Sequence, residues 1–402
     1  MTRRVALVVP GLEEGGGVPV VALYLHRVLT LTGRYEPQLI SVPMSSTDAT
    51  SVRLVDPASW VRGVKVRAGK WAGHAFRHVG AVLTEFEFQR YRPRSALTRL
   101  LREYDLIQVV AGCPSWAHVA LEAGRPVGLQ VATLMHVERQ AALRAARGPR
   151  RIWSRAMTRI LTRMDASALR GVDRVFVENS WMLEHVNQAA GSAPVVFAPP
   201  GVDTDRFSPP DRRDGEGYLL AVGRMSDPRK NVPLLFHAYR ALIDRLDDAP
   251  PLVLAGNRGP TPSDWELTRE LGISERVRFH ADVSDSELVE LYRGASLYVL
   301  SSDEEGLGLV ILEAMACGCP VVSTACGGPS TSVAEGETGY LVPVGDPAAL
   351  AARLHELLVA PELRERMGRL ARRRAVEHFS LEATGRLFVD WYDEALARKP
   401  DR

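Results

Sequence analysis

The sequence predicts an α/β protein of two doubly wound domains, and three observations carry that prediction. Apolar runs short enough to be strands alternate with segments of helical periodicity along nearly all of the 402 residues. Several of the runs are continuous, as strands covered on both faces of a parallel sheet require. A cluster of turn formers, Pro199, Pro200, Gly201, Pro209 and Pro210, divides the alternation into two series. A chain of this length also exceeds what one core of ordinary size holds. The expected organisation is a first domain over 1–200 and a second over 201–380, with the linker near 198–215. A last helix, 381–402, is expected to pack back on the first domain.

In order, Val5–Val9 (VALVV) is the first strand. It runs into Gly11, Glu13 and Glu14, where a signal peptide would lengthen its apolar run and end in small residues. The turn Gly15-Gly16-Gly17 leads to a helix from Val20 to Leu31. Leu39–Val42, Leu106–Val110, Val127–Val131 and Val175–Val177 are further strands. Met44–Arg94 shows no clear period and is expected to form loops over the site. Ile152, Trp153, Ala156, Ile160, Leu161 and Met164 share one helical face, read as packing on the core. The second series has strands at Tyr218–Val222, Leu252–Ala255, Val277–His280, Leu297–Leu300, Val321–Ser323 and Gly339–Val342. Asn231 and Pro233 mark a helix start running toward Leu246. Leu309–Cys317 is a helix, and Ala348–Phe379 is read as helical with an arginine-rich face.

The net charge of +2 conceals an asymmetry. Residues 1–205 carry 26 Lys and Arg against 17 Asp and Glu, and the remainder carries 24 against 31. The basic excess concentrates at Arg53–Arg94 and Arg139–Arg174. The plain reading is solvated helix faces; the alternative is a domain that meets an anionic acceptor or a membrane surface. No helix-turn-helix, zinc-finger or RNP-type pattern accompanies the charge, so nucleic acid is not an expected partner. Four cysteines are too few for a disulfide framework at this size. No apolar run approaches the roughly 20 residues that span a bilayer. These features place the chain in the cytoplasm, with peripheral attachment to the inner membrane surface as the further option.

The densest chemical signal is the stretch from Ser302 to Pro320. Two carboxylates, Glu305 and Glu313, stand there with seven residues between them. Gly306 and Gly308 let the backbone turn tightly beside a ligand. The helix that follows offers free amides and the positive end of its dipole at the carboxyl ends of the strands, which suits a diphosphate. A carboxylate at each side can accept hydrogen bonds from sugar and ribose hydroxyls. Arg224 and Lys230 lie about 80 residues earlier on a strand-to-helix loop, where a guanidinium fork and an ammonium suit a leaving diphosphate.

Taken together, these residues make the chain resemble glycosyltransferase family 4. Glu305 and Glu313 match the family's E-x7-E signature. Pro199-Pro200-Gly201-Val202-Asp203 with Phe207 resembles its interdomain segment, and Val222-Gly223-Arg224-Met225 with Lys230-Asn231 its phosphate loop. Gly16-Gly17, followed by Leu25 and Leu29, is similar to its glycine turn. The resemblance implies the GT-B architecture, two Rossmann-like domains facing each other across a cleft. It implies retaining transfer of a hexosyl group from a nucleoside diphosphate sugar, such as a UDP-sugar or GDP-mannose. The acceptor hydroxyl would belong to a glycan, a lipid-linked sugar or a small natural product. It further implies that Arg224 and Lys230 hold the diphosphate and that Glu313 binds the ribose. Glu305 would contact the donor sugar, the segment Gly306, Leu307, Gly308 and Leu309 would bind near sugar and phosphate, and Gly16 and Gly17 would close over the donor. The chain departs from the family at Gly327-Gly328-Pro329-Ser330-Thr331-Ser332, where the family's Gly-Gly-x-Pro-Glu glutamate is missing.

His136 follows the strand Val127–Val131, and family members often place a histidine similarly, near the reacting sugar. It is expected to bind the donor sugar or orient the acceptor; a hydrogen-bonded loop histidine is the plainer alternative. Cys317, Cys319 and Cys326 lack a fourth partner at zinc spacing and are read as small core residues. No Asp-x-Asp pattern stands in the loops that carry Arg224, Lys230 and Glu305, so no cofactor and no metal are expected. The rivals are a synthase or phosphorylase on the same fold and a catalytically silent sugar-nucleotide-binding subunit. A nicotinamide-dependent dehydrogenase lacks its G-x-G-x-x-G fingerprint here.

Overall fold

The structure is a computed structural model that describes residues 2–14, 16–140, 143, 147–189, 191, 193–211 and 217–397. Gly15, Arg144, the stretch 212–216 of the expected linker and residues 398–402 lie outside the described residues. The chain divides into two compact units, Met1–Pro200 with Gly385–Arg402, and Gly201–Thr384.

The first unit is built on an eight-stranded sheet of order β3-β4-β2-β1-β5-β6-β7-β8. Its strands are β1 (Arg3–Pro10), β2 (Tyr35–Val42), β3 (Val66–Trp71), β4 (His74–Val79), β5 (Leu106–Ala111), β6 (Val127–Val131), β7 (Arg174–Val177) and β8 (Val195–Phe197). Every pairing is parallel except β3 with β4. Val5 to Val9 are fully buried because the sheet is covered on both sides. Helix α1 (Gly17–Leu31) packs on one face through Val21, Leu25, Val28 and Leu29. Helices α2 (Gly148–Gly171) and α3 (Ser180–Ala189), with the short helices Ser95–Leu101 and Pro114–Val119, cover the sheet further.

Two expectations change here. Residues 44–94 are not only loops, since they contain the antiparallel hairpin β3–β4 that extends the sheet edge. Ala72 and Gly73, at φ of 47° and 81°, make its two-residue turn with both residues left-handed. The apolar stripe of α2 is only partly its core face: Leu161 is buried and Met164 packs against the core, but the other four residues are not covered. Ile152, Trp153 and Ile160 are 72%, 60% and 42% exposed, and Ala156 is exposed as well. The buried face is Met157, Thr158, Leu161, Asp165, Ala168 and Leu169.

The second unit carries a six-stranded, wholly parallel sheet of order β11-β10-β9-β12-β13-β14. Its strands are β9 (Leu219–Val222), β10 (Leu252–Gly256), β11 (Val277–Ala281), β12 (Leu297–Leu300), β13 (Val321–Thr324) and β14 (Gly339–Val342). Alternate residues feed two cores. Leu219, Leu252, Leu254, Leu297 and Val299 pack with Phe236 and Tyr239 of α4 (Val232–Ile243). Leu220, Val253, Tyr298 and Leu300 pack on the other face with Ile311, Leu312 and Met315. Asn231 caps α4, its side chain accepting from the Leu234 amide at 3.2 Å. Helices α5 (Pro262–Glu270) and α6 (Asp285–Gly294) follow β10 and β11, and both open with capping boxes. Next come α7 (Leu309–Ala316), α8 (Pro347–Leu358) and α9 (Pro361–Phe379). The single helix expected over 348–379 is therefore two, because Pro361 begins a new one and denies the old one an amide. The last helix, α10 (Leu381–Ala397), belongs to the first unit from Gly385 onward. There Phe388 and Trp391 pack on Phe176, and Tyr392 Oη donates to Gln108 Oε1 at 3.0 Å.

Candidate active site

In the second sheet, β9 has β10 on one side and β12 on the other, so the connections after β9 and β12 leave in opposite directions. Such a switch point opens a crevice at the carboxyl ends of the strands. The loop after β9 holds Arg224 and Lys230; the loop after β12 holds Glu305. The two are stitched together along their length. The Asp303 amide donates to the Arg229 carbonyl at 2.8 Å, Ser301 Oγ to the Lys230 carbonyl at 2.8 Å, and Asn231 Nδ2 to Asp303 Oδ1 at 2.8 Å.

At the centre Lys230 Nζ lies 2.5 Å from Glu305 Oε1, which also accepts from Ser302 Oγ at 2.7 Å. Arg224 Nη2 is 3.1 Å from Asp227 Oδ2, and Arg229 Nη2 is 2.8 Å from the same oxygen. The hydrogen bonds from Arg229 hold the Asp227 carboxyl down at about 2, and Asp227 in turn raises Arg229. Three cations and two carboxylates therefore share one loop cluster. Gly223 lets Lys230 lie against the end of β9, since a Cβ there would come 3.2 Å from Lys230 Cε.

Gly308, left-handed at φ 79°, is the N-cap of α7. The first amides of α7, at Leu309 and Val310, have no acceptor within the helix. Gly306 is half-buried and Leu307 is buried. The segment Gly327-Gly328 clamps this loop from behind. The Gly328 amide donates to the Glu305 carbonyl at 3.0 Å, and a Cβ on Gly328 would come 2.6 Å from the Gly306 carbonyl oxygen. In place of the family's glutamate, Pro329–Ser332 forms one short helical turn.

Glu313 sits one turn into α7. Tyr292 Oη donates to its Oε2 at 2.7 Å, and Oε1 has no partner among the described residues. Burial raises the carboxyl to about 7, against the lowering effects of Tyr292 and Arg206. Cys317 and Cys319 are fully buried and Cys326 partly so; burial pushes Cys317 and Cys326 up to about 12. Among the described residues no three His, Cys, Asp or Glu side chains gather where a metal ion could be held.

The remaining expected residues lie in the first unit. Gly16, at φ 103°, is the N-cap of α1, and a Cβ on Gly17 would meet nothing within 4 Å. His136 is exposed on the short helix Met135–Glu138 after β6, with no ring hydrogen bond to a described residue. Its loop is anchored by Asp165 of α2, which accepts from the Met135 amide at 2.8 Å and from the Ser115 amide at 2.9 Å. Asp165, Asp227, Arg229, Ser302 and Tyr292 were not singled out from sequence. The one signal that could have found any of them is the charge density of Asp227-Pro228-Arg229-Lys230.

Comparison with known proteins bears on this arrangement. Residues 15–206 match the family described as Glycosyltransferase Family 4, and residues 203–374 that described as Glycosyl transferases group 1. A D-inositol 3-phosphate glycosyltransferase of Streptomyces avermitilis is 30% identical over 419 residues, covering 96% of this chain and 85% of that one. A protein of the same name from Frankia alni is 40% identical over 216 residues, 49% of this chain and 52% of its own length. The chain thus matches about half the length of that second relative. Among solved structures, sucrose-phosphate synthase from Thermosynechococcus elongatus has a TM-score of 0.73 at 20% identity, covering 99% of this chain and 100% of that one. Anabaena HepE in complex with UDP and glucose has a TM-score of 0.68 at 16% identity, covering 98% and 100%. These likenesses give the fold, GT-B. With two parallel-sheet units of that fold and matches running through both, the chain is a glycosyltransferase and belongs to glycosyltransferase family 4.

Proposed function

We propose that the protein transfers a hexosyl group from a nucleoside diphosphate sugar to an acceptor hydroxyl with retention of configuration, without a metal ion. The observation that carries this reading is the loop cluster at the switch point of the second sheet, in which Arg224 and Arg229 pair with Asp227 and Lys230 pairs with Glu305. In the transfer, the bond from the anomeric carbon to the diphosphate oxygen breaks and a bond from that carbon to the acceptor oxygen forms. The acceptor's proton goes to the departing diphosphate. Negative charge grows on the diphosphate as the anomeric carbon becomes oxocarbenium-like, and fixed cations stabilise that charge without reorganising. Lys230 and Arg224 supply them, the free amides of α7 add the helix dipole, and Glu305 contacts the sugar. Glu313 Oε1 accepts from a ribose hydroxyl while Tyr292 holds the other oxygen. Gly16, Gly17 and His136 serve the donor sugar or the acceptor from the first unit.

The complex of Anabaena HepE with UDP and glucose favours uracil as the donor base. The names of the relatives make D-inositol 3-phosphate one acceptor to assay beside glycans and lipid-linked sugars. The test is a thermal-shift screen with UDP, GDP and ADP, followed by release of nucleoside diphosphate from the matching sugar donor. A ligand at 100 times its dissociation constant stabilises by about 2.7 kcal/mol. No shift with any of the three, and no release from any donor, would overturn the reading.

A further inference from the structure

We propose that α2 is a peripheral membrane-docking element that lays one face onto an anionic phospholipid bilayer. Four of its apolar residues are turned away from the core. Ile152, Ala156 and Ile160 stand at i, i+4 and i+8 and form one ridge, with Trp153 beside it, and all four are exposed. Arg151, Arg155, Arg159 and Arg163 form the adjoining ridge and are exposed too. Among the described residues these four arginines take part in no ion pair. From residue 139 to 164 the sequence contains eight arginines and no acidic residue. Opposite them, Met157, Leu161, Ala168 and Leu169 fix the helix to the first unit's core.

A helix held by one face and apolar along part of the other exposes surface that folding leaves in water at a cost. A bilayer interface meets both ridges at once. Indole and branched aliphatic side chains enter the headgroup boundary, and the guanidinium groups reach back to lipid phosphates. A basic and apolar helix face suits a fluid anionic surface. The helix does not cross the bilayer, and no helix among the described residues is long and apolar enough to do so. This inference does not rest on the donor site, and its readout needs no turnover.

The test is co-sedimentation with vesicles of phosphatidylcholine alone and of phosphatidylcholine mixed with phosphatidylglycerol. The wild-type chain is expected on the mixed vesicles and not on the neutral ones, with binding weakened by salt as the field is screened over about 8 Å. The combined Ile152→Ser, Trp153→Ser and Ile160→Ser variant should lose binding. Arg155→Gln with Arg159→Gln should weaken it about 30-fold. Both variants alter only exposed side chains, so their melting curves should match the wild type. Absence of wild-type binding to mixed vesicles overturns the proposal. So does full binding by the apolar-ridge variant, which would leave the arginines as a general basic patch.

Discussion

Lys230 Nζ and Glu305 Oε1 stand 2.5 Å apart across two loops that are 75 residues apart in sequence. The pair joins the loop after β9 to the loop after β12, and in the proposed function it joins the phosphate contact to the sugar contact. With only 19% and 14% of their side chains exposed, the two groups lock each other's direction before any ligand arrives. Such fixed polar geometry costs no reorganisation during the reaction.

Replacing Lys230 or Arg224 by Ala should therefore slow turnover by roughly 10²–10³, the equivalent of about 2.7–4 kcal/mol for one lost donor to a developing anion. Steady-state release of nucleoside diphosphate measures it, and melting curves show whether the fold survives. Near-normal rates in both variants would sink the diphosphate assignment.

Glu313 should make stability depend on pH in one direction. Its folded carboxyl titrates at about 7 and its ordinary value is 4.5. Below 4.5 both folded and unfolded chains are protonated there, so the group contributes nothing. Between 4.5 and about 7 the unfolded chain ionises first, and the fold loses stability as pH rises. Glu313→Gln, which still accepts from Tyr292, should raise the melting temperature at pH 8 and leave it unchanged at pH 4. Equal differences at both pH values would contradict a neutral folded carboxyl.

Two glycines should separate a structural role from a ligand role. Gly328→Ala places a methyl 2.6 Å from the Gly306 carbonyl oxygen and Leu307 Cα, so it must displace the Glu305 loop and should lower both stability and turnover. Gly17→Ala meets nothing within 4 Å and should leave the melting temperature unchanged. If Gly17 closes over the donor, the same variant raises donor KM. Unchanged donor kinetics in Gly17→Ala would remove that residue from the site.

If Arg224 and Lys230 neutralise the donor diphosphate as proposed, activity should persist in EDTA. Loss of turnover that is restored by titrating Mg2+ or Mn2+ would refute this.

The central strands were legible because burial on both faces leaves an uninterrupted apolar run, as in Val5–Val9 and Leu297–Leu300. The hairpin β3–β4 was not, because the exposed edge strand Val66–Trp71 keeps charged and small residues that carry no period. The stripe on α2 was seen, but only Leu161 and Met164 of it meet the core, while Ile152, Trp153, Ala156 and Ile160 are exposed. Periodicity reports that one face is apolar and does not say what covers it; the covered face spends two positions on Thr158 and Asp165. In the site, Glu305, Glu313, Arg224 and Lys230 announce themselves by type and spacing. Tyr292 and Ser302 do not, because their part depends on a hydroxyl brought close by folding alone.

The first unit is assembled from two distant pieces of chain, and this sets an order on biosynthesis. The ribosome delivers β1 to β8 long before it delivers Phe388, Trp391 and Tyr392, which cover Phe176 and Gln108. Gly201–Thr384, by contrast, is contiguous and has its whole sheet at hand once it emerges. The usual vectorial sequence, in which the amino-terminal domain folds first, is therefore inverted at the last step. The second unit can close while the first still waits for its final helix. A chain stopped after residue 384 would leave Phe176 and the sheet around it uncovered beside α1, open to chaperones and proteases.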